Sequence, residues 1–323
     1  MARQGTGIGG GNDKKRKIFL ERISKIFSLS PARAEKIVSI KLKSSVRVNR
    51  LSPMAPDEIM SGMESLGCGL EPISWCSDAY FLKSGKGELV ASKLFTDGHV
   101  YIQNASSLIP ALVTGPQAGE QILDVCAAPG GKSAHMAAIA KVGGGNADIW
   151  ANDALRIKKL EDVLSTFHVP NVHLSAHQGQ FIDREMDVKF DRILLDAQCS
   201  GEGMYNLARS DALKHWSLER IQKMQYLQQK MLSSAWKVLK PGGVLVYSTC
   251  TFGPEENEAP ISRHLKHNDD ALIEQIDLNI PERMSGLKSW DGAQFHPDLK
   301  HAIRIMPSEY MEGFFVCRLR KKT

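Results

Sequence analysis

The sequence predicts an α/β fold in which a doubly wound parallel sheet follows a smaller N-terminal α/β unit. From about residue 112 onward, short apolar runs of strand length alternate with segments of helical periodicity, which is the pattern of βαβ units. Before that point, the alternating segment SVRVN at 45–49 and the helical segment APDEIMSGMESLG at 55–67 form a separate pattern. Ligands of such sheets bind beyond the carboxyl ends of the strands.

Composition narrows the class of protein. The 323 residues carry 41 Lys and Arg against 36 Asp and Glu, a formal charge of +5, which fits either an ordinary basic surface or an anionic partner. We expect a cytoplasmic monomer without a membrane partner, because neither a membrane-spanning stretch nor a signal-peptide core is present. The six cysteines include no CxxC pair, so we expect no metal site and no disulfide framework.

The N-terminal region is predicted in two parts. Residues 1–17 contain a G-x-G-x-x-G match and the run KKRK, but no strand precedes the match, so we interpret them as a flexible basic tail. Residues 18–43 have helical character, with Pro31 opening a second segment. PISWC and AYFL resemble short strands. Region 18–112 therefore precedes a main domain at 113–323.

Elements of the main domain follow in a regular order. Strands are expected at 121–126 and 148–153 and in the segments NVHLS, FDRILLD and VLVYST. Helices are expected at 131–141, 154–167 and 217–239, and Pro241-Gly242-Gly243 is expected to stop the last one.

The segment LDVCAAPGGKS forms the most informative turn. Its small residues let a ligand lie against the backbone, and the following helix N-terminus attracts a negative group. A phosphate-binding loop would need glycine near position 126, where Cys126 stands, and the dinucleotide fingerprint is absent from this turn. Asp153, at the end of the next strand, can bind a ribose or cap the following helix. Its combination with the turn favours the ribose.

Two cysteines raise the question of chemistry. Cys199 and Cys250 each follow an apolar strand and are expected at the ligand end of the sheet. A lone cysteine is most often a small buried residue, and the residues alone do not rank one of the two above the other.

Several motifs together indicate a family. DVCAAPGGKS, DAQCSGEGM, KPGGVLVYSTCTFGPEENE, VRVN, YIQNASS and IRIMPSEYMEGFFVCRLRK closely resemble the Sun/Nop family of S-adenosylmethionine-dependent RNA cytosine-5 methyltransferases. CSGEGM and STCTF are most similar to the bacterial ribosomal-RNA members of the RsmB and RsmF type. The resemblance implies a Rossmann-like, seven-stranded class I methyltransferase sheet, a small RNA-recognition-like unit, S-adenosylmethionine as cofactor and RNA as partner, with ribosomal RNA favoured over transfer RNA.

The resemblance also assigns roles to residues. It implies that Cys250 is the nucleophile and that Cys199 assists product release. A thiolate that adds to carbon 6 of cytosine makes carbon 5 nucleophilic, and cysteine can both attack and leave near neutral pH. Asp196 can bind the N3 and amino edge of the base, and Lys132 is expected to keep Asp196 ionised.

Binding residues are predicted in two sets. The cofactor set comprises Cys126, Ala127, Ala128, Pro129, Gly130, Gly131, Lys132, Asp153, Gln178 and Asp196. The RNA set comprises Lys41, Lys43, Arg47 and Arg50, which adjoin the RNA-recognition-like unit and can hold phosphates.

Two positions depart from the family pattern. Gln198 stands where the family usually has proline, which frees an N–H donor. Gln178 stands where the family commonly has Asp before Gly, so its amide oxygen can accept a hydrogen bond without charge. These departures leave open a weakly catalytic, S-adenosylmethionine-binding RNA assembly factor. The absent dinucleotide fingerprint disfavours an oxidoreductase.

Overall fold

A computed structural model describes residues 9–281 and 283–323. The α-helices there are α1 (Gly9–Phe27), α2 (Pro31–Ile37), α3 (Pro56–Ser65), α4 (Lys86–Val90), α5 (Lys93–Thr96), α6 (Ile109–Thr114), α7 (Gly131–Val142), α8 (Ile157–Thr166), α9 (Ile182–Glu185), α10 (Leu218–Val238) and α11 (Glu258–His267). The strands are β1 (Ser45–Val48), β2 (Gly69–Pro72), β3 (Ala79–Ser84), β4 (Val100–Gln103), β5 (Gln121–Asp124), β6 (Asp148–Asn152), β7 (Val172–Ser175), β8 (Phe190–Asp196), β9 (Leu239–Thr249), β10 (Ala271–Glu274), β11 (Arg283–Ser285), β12 (Ser289–Trp290), β13 (Ala293–Gln294), β14 (Ile303–Ile305) and β15 (Phe314–Lys321).

The large sheet has the predicted α/β character. Its strands run in the order β11-β14-β15-β9-β8-β5-β6-β7. Strands β5 to β9 pair in parallel, and β15 pairs antiparallel to β9. The sheet has nine strands in the described residues instead of the predicted seven, because β11 extends the β14 edge and β10 pairs with β15 beyond the end of β14.

Strand register brings the functional loops together. Asp124 at the end of β5 lies beside Leu194 of β8, and Asp196 at the end of β8 lies beside Ser248 of β9. The carboxyl ends of three central strands therefore meet at one edge of the sheet. The segment FDRILLD is almost wholly buried, as expected for a central parallel strand that is covered on both faces.

The small sheet pairs its strands in the order β2-β3-β1-β4, all antiparallel. Helix α3 connects β1 to β2, and helices α4 and α5 connect β3 to β4, which is a βαββαβ arrangement. The predicted strand PISWC is wrong, because the strand occupies Gly69–Pro72 and residues 73–76 form a turn closed by the hydrogen bond from Cys76 N to Ile73 O at 2.9 Å.

The first helix starts earlier than predicted. Residues 9–17 belong to α1 and not to a tail, while residues 1–8, which contain Gly5 and Gly7 of the G-x-G-x-x-G match, lie outside the described residues. Phe19 of α1 is fully buried and packs edge-on against Trp216, with ring centroids 5.5 Å apart. Tertiary packing on the main domain therefore supports this helix, whose glycine-rich start has low helix propensity.

The end of α10 also differs from the prediction. The helix ends at Val238 and β9 begins at once with Leu239. Pro241-Gly242-Gly243 thus lies within the strand and not in a loop that stops the helix.

Membrane-spanning helices and metal-ligand clusters are both absent from residues 9–281 and 283–323. No helix there is both long and apolar enough to cross a bilayer. The same residues contain no group of three or more His, Cys, Asp or Glu side chains arranged to hold a metal ion.

A buried ion pair fastens the start of α11 to the sheet. Arg304 of β14 donates from Nε to Glu258 Oε1 at 2.6 Å and from Nη1 to Phe252 O at 2.9 Å. The guanidinium also pairs with the second oxygen of Glu258. Both side chains are at most 2% exposed. The pair thus positions the segment that leads from β9 into α11.

We expect Arg304→Ala to lower the free energy of unfolding by about 3–5 kcal/mol, because it leaves the Glu258 carboxylate buried and unpaired. Urea unfolding measures this change. Lys300→Ala is the matched control, since Lys300 is exposed and has no carboxylate partner in the described part of the chain. A loss below about 1 kcal/mol for Arg304→Ala would contradict the structural role given to the pair.

Candidate active site

Two sulfur atoms meet at the carboxyl ends of β8 and β9. Cys199 Sγ lies 3.2 Å from Cys250 Sγ, and both residues are half-buried. The hydrogen bond with Cys250, together with burial, raises the pKa of Cys199 well above its usual value. Cys199 therefore keeps its proton, and at this distance either sulfur can be the donor in the hydrogen bond between them.

An ion pair lies at the same edge of the sheet. Lys132 Nζ is 2.7 Å from Asp196 Oδ2, and Ser248 Oγ donates to Asp196 Oδ1 at 2.7 Å. Burial by itself lowers the pKa of Lys132, but the carboxylate of Asp196 outweighs it, and the net pKa is raised. Lys132 is thus a fixed ammonium group. The structure brings together all four residues that the sequence predicted as catalytic.

A buried carboxyl group connects the two cysteine loops. Glu256 is fully buried and accepts hydrogen bonds from Ser200 N at 2.8 Å and from Gln228 Nε2 at 2.9 Å. Thr251 Oγ1 lies 2.8 Å from Ser200 Oγ. Ser200 and Thr251 directly follow Cys199 and Cys250. Glu256 therefore holds the backbone of one sulfur-bearing loop and, through Ser200, the other.

The N-terminal helix supports these loops from outside. Arg22 of α1 donates from Nη1 and Nη2 to the two oxygens of Glu255, both at 2.9 Å. Its Nε also lies 3.9 Å from the buried Glu202, which accepts a hydrogen bond from Trp216 Nε1 at 2.8 Å. A bidentate arginine–carboxylate pair fixes orientation as well as distance, so α1 helps to position the Cys250 loop.

The turn between β5 and α7 is closed by the small sheet. A Cβ atom at Gly131 would lie 2.7 Å from the ring of Tyr101, a residue of β4. Gly130 has a φ of 117°, which side-chain-bearing residues rarely adopt. Glycine is therefore required at both positions, for close approach at Gly131 and for backbone conformation at Gly130.

Two cavities flank Cys126. The larger, of about 350 Å³, contains three residues of the predicted cofactor set, and the smaller, of about 140 Å³, contains seven. The three are Cys126, Asp153 and Gln178. The seven are Cys126, Ala127, Ala128, Pro129, Gly131, Lys132 and Asp196. Gly130 lines neither cavity, and its Cα faces α8, where a Cβ would lie 3.1 Å from Val163.

Unpaired polar atoms in the smaller cavity indicate a polar ligand. Asp124 Oδ1 and Gln103 Nε2 are buried without a hydrogen-bond partner in the described residues, and both residues line this cavity. Burial raises the pKa of Asp124 to about 7. Buried polar groups are nearly always satisfied, so an ammonium and a carboxylate, as in an amino acid, fit these atoms.

Sequence reasoning assigned no role to Gln103 or Asp124. Two sequence features could have indicated them: Gln103 lies in the motif YIQNASS, and Asp124 is the last residue of the strand before the glycine turn.

Asp153 caps the segment that leads into α8. Its Oδ1 accepts from Leu155 N at 3.1 Å and from Arg156 N at 2.8 Å, and its Oδ2 accepts from Ala128 N at 3.3 Å. The carboxylate also lines the larger cavity. The cap is thus observed, while binding of a ribose stays a prediction.

The two departures from the family pattern lie in the larger cavity. Gln178 Oε1 accepts from Gln180 Nε2 at 2.7 Å, a bond that a ligand would have to compete with. Burial raises the pKa of the Cys126 thiol, and the backbone N–H of Gln198 opposes that rise. A proline at position 198 could not oppose it in this way, because it has no N–H.

The predicted RNA set does not form one exposed basic cluster. Arg47 is only 1% exposed, and burial lowers its pKa to about 10, so the expectation of a surface phosphate contact is wrong for this residue. Lys43 pairs with Glu309 at 2.6 Å, and Arg50 lies 3.6 Å from Asp78. Lys41 is exposed and has no carboxylate partner in the described part of the chain.

Residues 111–320 match the family described as 16S rRNA methyltransferase RsmB/F. Among curated proteins, ribosomal RNA small subunit methyltransferase F of Serratia proteamaculans is 36% identical over 288 residues, covering 87% of this chain and 57% of the relative. The protein of the same name from Vibrio parahaemolyticus is 33% identical over 312 residues, covering 94% and 62%. The chain thus spans about three-fifths of the length of these relatives.

Solved structures share the fold. A methyltransferase homologue from Pyrococcus horikoshii superposes with a TM-score of 0.76 at 28% identity, covering 94% of this chain and 99% of its own. The structure of NSun6 from the same organism with SFG gives a TM-score of 0.76 at 21% identity, covering 94% and 98%. The second likeness bears on the fold alone.

Glu256 makes stability depend on pH. Burial raises its pKa from 4.5 to about 7, so between these pH values the folded state holds a proton that the unfolded state has lost. Stability therefore falls as the pH rises through this window. We expect Glu256→Gln to flatten the fall by up to about 3 kcal/mol, as measured by urea unfolding from pH 4.5 to 7.5.

Glu64→Gln is the control for this experiment, because Glu64 is exposed and should leave the slope unchanged. Parallel pH profiles for the wild type and Glu256→Gln would show that Glu256 does not hold a proton in the folded protein.

Proposed function

Because the chain belongs to the RsmB/F family of 16S rRNA methyltransferases, we propose that it transfers a methyl group from S-adenosylmethionine to carbon 5 of a cytosine in small-subunit ribosomal RNA. The observation that supports this chemistry most is the contact of Cys199 and Cys250, 3.2 Å apart. A second support is the Lys132–Asp196 pair at the same edge of the sheet.

The cavities beside Cys126 fit the cofactor. S-adenosylmethionine supplies an electrophilic methyl group on a positively charged sulfur. Asp124 and Gln103 would hold the ammonium and carboxylate of its methionine end, because their buried atoms lack partners. Asp153 would hold the ribose and Gln178 the adenine amino group, since both line the larger cavity.

Cys250 acts as the nucleophile in this proposal. Its thiolate adds to carbon 6 of the cytosine, which breaks the aromaticity of the ring and makes carbon 5 nucleophilic. The Cys199 thiol can donate a hydrogen bond to the Cys250 sulfur, and the ammonium of Lys132 lies close enough to interact with that sulfur electrostatically. Both groups are thus placed where they can stabilise charge on the attacking sulfur during the reaction.

Asp196 and Lys132 orient and stabilise the base. Asp196 is a strand-end carboxylate that can accept a hydrogen bond from the amino group of cytosine, and the ammonium of Lys132 beside it can donate to N3, where negative charge develops as the thiolate adds. Ser248 and Lys132 each occupy one oxygen of this carboxylate, which fixes its orientation before the base arrives.

Cys199 assists release. After methylation, carbon 5 loses its proton to a base, the electron pair of that bond forms the C5–C6 double bond, and Cys250 leaves carbon 6 as a thiolate. Because the pKa of Cys199 is raised, this thiol stays protonated and donates its hydrogen bond to the departing sulfur. The leaving charge is thereby stabilised.

The experiment that tests the function uses labelled S-adenosylmethionine with unmodified 16S rRNA transcript and, in a parallel reaction, with unmodified transfer RNA. We expect the wild type to transfer label and Cys250→Ala to transfer none. Cys199→Ala should accumulate a covalent protein–RNA adduct that survives denaturing gel electrophoresis, because release of the sulfur is slowed.

Cys68→Ala is the control, since Cys68 lies beside the small sheet and should transfer label at the wild-type rate. An adduct trapped by Cys250→Ala instead would reverse the roles of the two cysteines. If label appears only in transfer RNA, transfer RNA and not 16S rRNA is the substrate. If the wild-type protein labels neither RNA, the result favours a binding protein without methyltransferase activity.

Gln178 provides a test of the cofactor site. We expect Gln178→Asp to tighten S-adenosylmethionine binding several-fold by calorimetry, because hydrogen bonds to a charged acceptor are about twice as strong as neutral ones. Gln222→Asp makes the same change on the exposed face of α10 and should leave the affinity unchanged. Equal affinities for wild type and Gln178→Asp would show that Gln178 does not contact the adenine.

A further inference from the structure

A groove of about 410 Å³ runs between α10 and α11, outside the cavities that flank Cys126. Helix α10 contributes Tyr226, Lys230 and Ser233 to its walls. Helix α11 contributes Arg263, His264 and His267. The mechanism proposed above uses none of these side chains.

The groove carries unneutralised positive charge. No Asp or Glu side chain lines it, and neither Lys230 nor Arg263, both exposed, has a carboxylate partner in the described part of the chain. Lys223, two turns earlier on the same helix, is instead paired with Glu219 at 3.1 Å. Lys230 and Arg263 are therefore available to bind phosphate groups.

An aromatic ring lies beside this charge. The side chain of Tyr226 is 64% exposed, and Lys230 Nζ lies 4.3 Å from the centroid of its ring. A lysine over an aromatic face stabilises the ring in its exposed position. Exposed aromatic rings next to basic side chains are the platforms on which proteins stack the bases of single-stranded nucleic acids.

The wall of the groove contains an unsatisfied donor. His264 is 6% exposed, and its Nε2 is buried without a hydrogen-bond partner in the described residues. Asn268 Nδ2 lies 3.3 Å from His264 Nδ1, so Nδ1 accepts and the ring proton belongs on Nε2. Burial lowers the pKa of His264 to about 4, so the ring is neutral. A ligand oxygen would satisfy this donor.

The groove lies one helix away from the reaction. Leu227 and Met231, on another face of α10, line the larger cavity beside Cys126. The loop of Cys199 leads into α10, and the loop of Cys250 leads into α11. A strand whose base enters between the two loops can thus continue along the groove that the two helices enclose.

We propose that the α10–α11 groove binds the single-stranded RNA segment next to the target cytosine, with a base stacked on Tyr226 and phosphates held by Lys230 and Arg263. The proposal rests on the proposed function for its substrate. In this proposal Lys230 and Arg263, which have no carboxylate partner in the described residues, form the main RNA contact. The buried Arg47 and the paired Lys43, which the sequence predicted, do not.

The test measures RNA binding and methyl transfer separately. Fluorescence anisotropy with a labelled single-stranded segment of 16S rRNA gives the dissociation constant, and methyl transfer to the unmodified transcript gives KM and kcat. We expect Tyr226→Ala to weaken binding and to raise KM about tenfold, within the range for loss of base stacking, at nearly constant kcat. Tyr226→Phe keeps the ring and should bind as the wild type does.

The charge contribution is tested by salt dependence. For the double variant Lys230→Ala/Arg263→Ala, the slope of the logarithm of affinity against the logarithm of salt should fall by about 1.4, or about 0.7 for each phosphate contact with a single strand. Lys141→Ala/Lys159→Ala removes two exposed lysines without carboxylate partners from α7 and α8. That control should keep the wild-type slope.

Several outcomes would overturn the proposal. Wild-type affinity and salt slope in the Tyr226 and Lys230/Arg263 variants would do so, as would the absence of an ultraviolet cross-link between RNA and the Tyr226 peptide. Poly-glutamate serves as a probe for an acidic protein partner. If the groove variants lose binding to poly-glutamate but bind RNA as the wild type does, the groove would be a site for such a partner instead. Unchanged S-adenosylmethionine affinity verifies that each variant is folded. Because anisotropy and cross-linking need no methyl transfer, they test the groove even if the wild type methylates no RNA.

Discussion

The active-site geometry depends on one buried carboxyl group, that of Glu256. It lies beneath the two loops at the ends of β8 and β9 and accepts hydrogen bonds from the backbone of Ser200 and the side chain of Gln228. Gln228 also donates to the carbonyl of Gln198, so α10 is joined to the same loop. An unsatisfied buried carboxyl is costly, and in this arrangement the Glu256 carboxyl has partners in both loops. These hydrogen bonds hold Ser200 and Thr251, and with them the adjoining Cys199 and Cys250, next to one another.

The first helix is a structural part of the main domain, although it precedes the small sheet in the chain. Arg22 pairs with Glu255 beside the Cys250 loop, and Trp290 donates to the same carboxylate at 3.0 Å. The guanidinium of Arg22 also lies 5.4 Å from the centroid of the Trp290 ring. The sulfur-bearing loops are therefore held from inside by the sheet and from outside by α1.

The structure could be predicted from the sequence wherever a short local pattern of residues determined the position of an element. Apolar parallel strands end at a common edge, so the convergence of Cys199 and Cys250 could be predicted from two short runs. Long-range packing determined the rest. Arg47 lies in a short strand whose two faces are both covered, which alternation does not reveal. Glu256 lies in the polar run GPEENE, which has the composition of a solvated loop. Helix α1 packs on distant loops, as Arg16 does on the carbonyl of Leu207 and Phe19 on Trp216.

The contact between Tyr101 and Gly131 determines how the two sheets relate mechanically. Because the ring leaves no room for even a methyl group at position 131, the small sheet cannot tilt without disturbing the turn that lines the smaller cavity beside Cys126. Asn49 adds a second attachment by donating to the carbonyl oxygen of Phe167 at 3.1 Å. These contacts keep the small sheet at a fixed spacing and orientation relative to the turn at Gly131. If a polynucleotide bound to the small sheet, it would therefore be held at a fixed distance from the cavities beside Cys126.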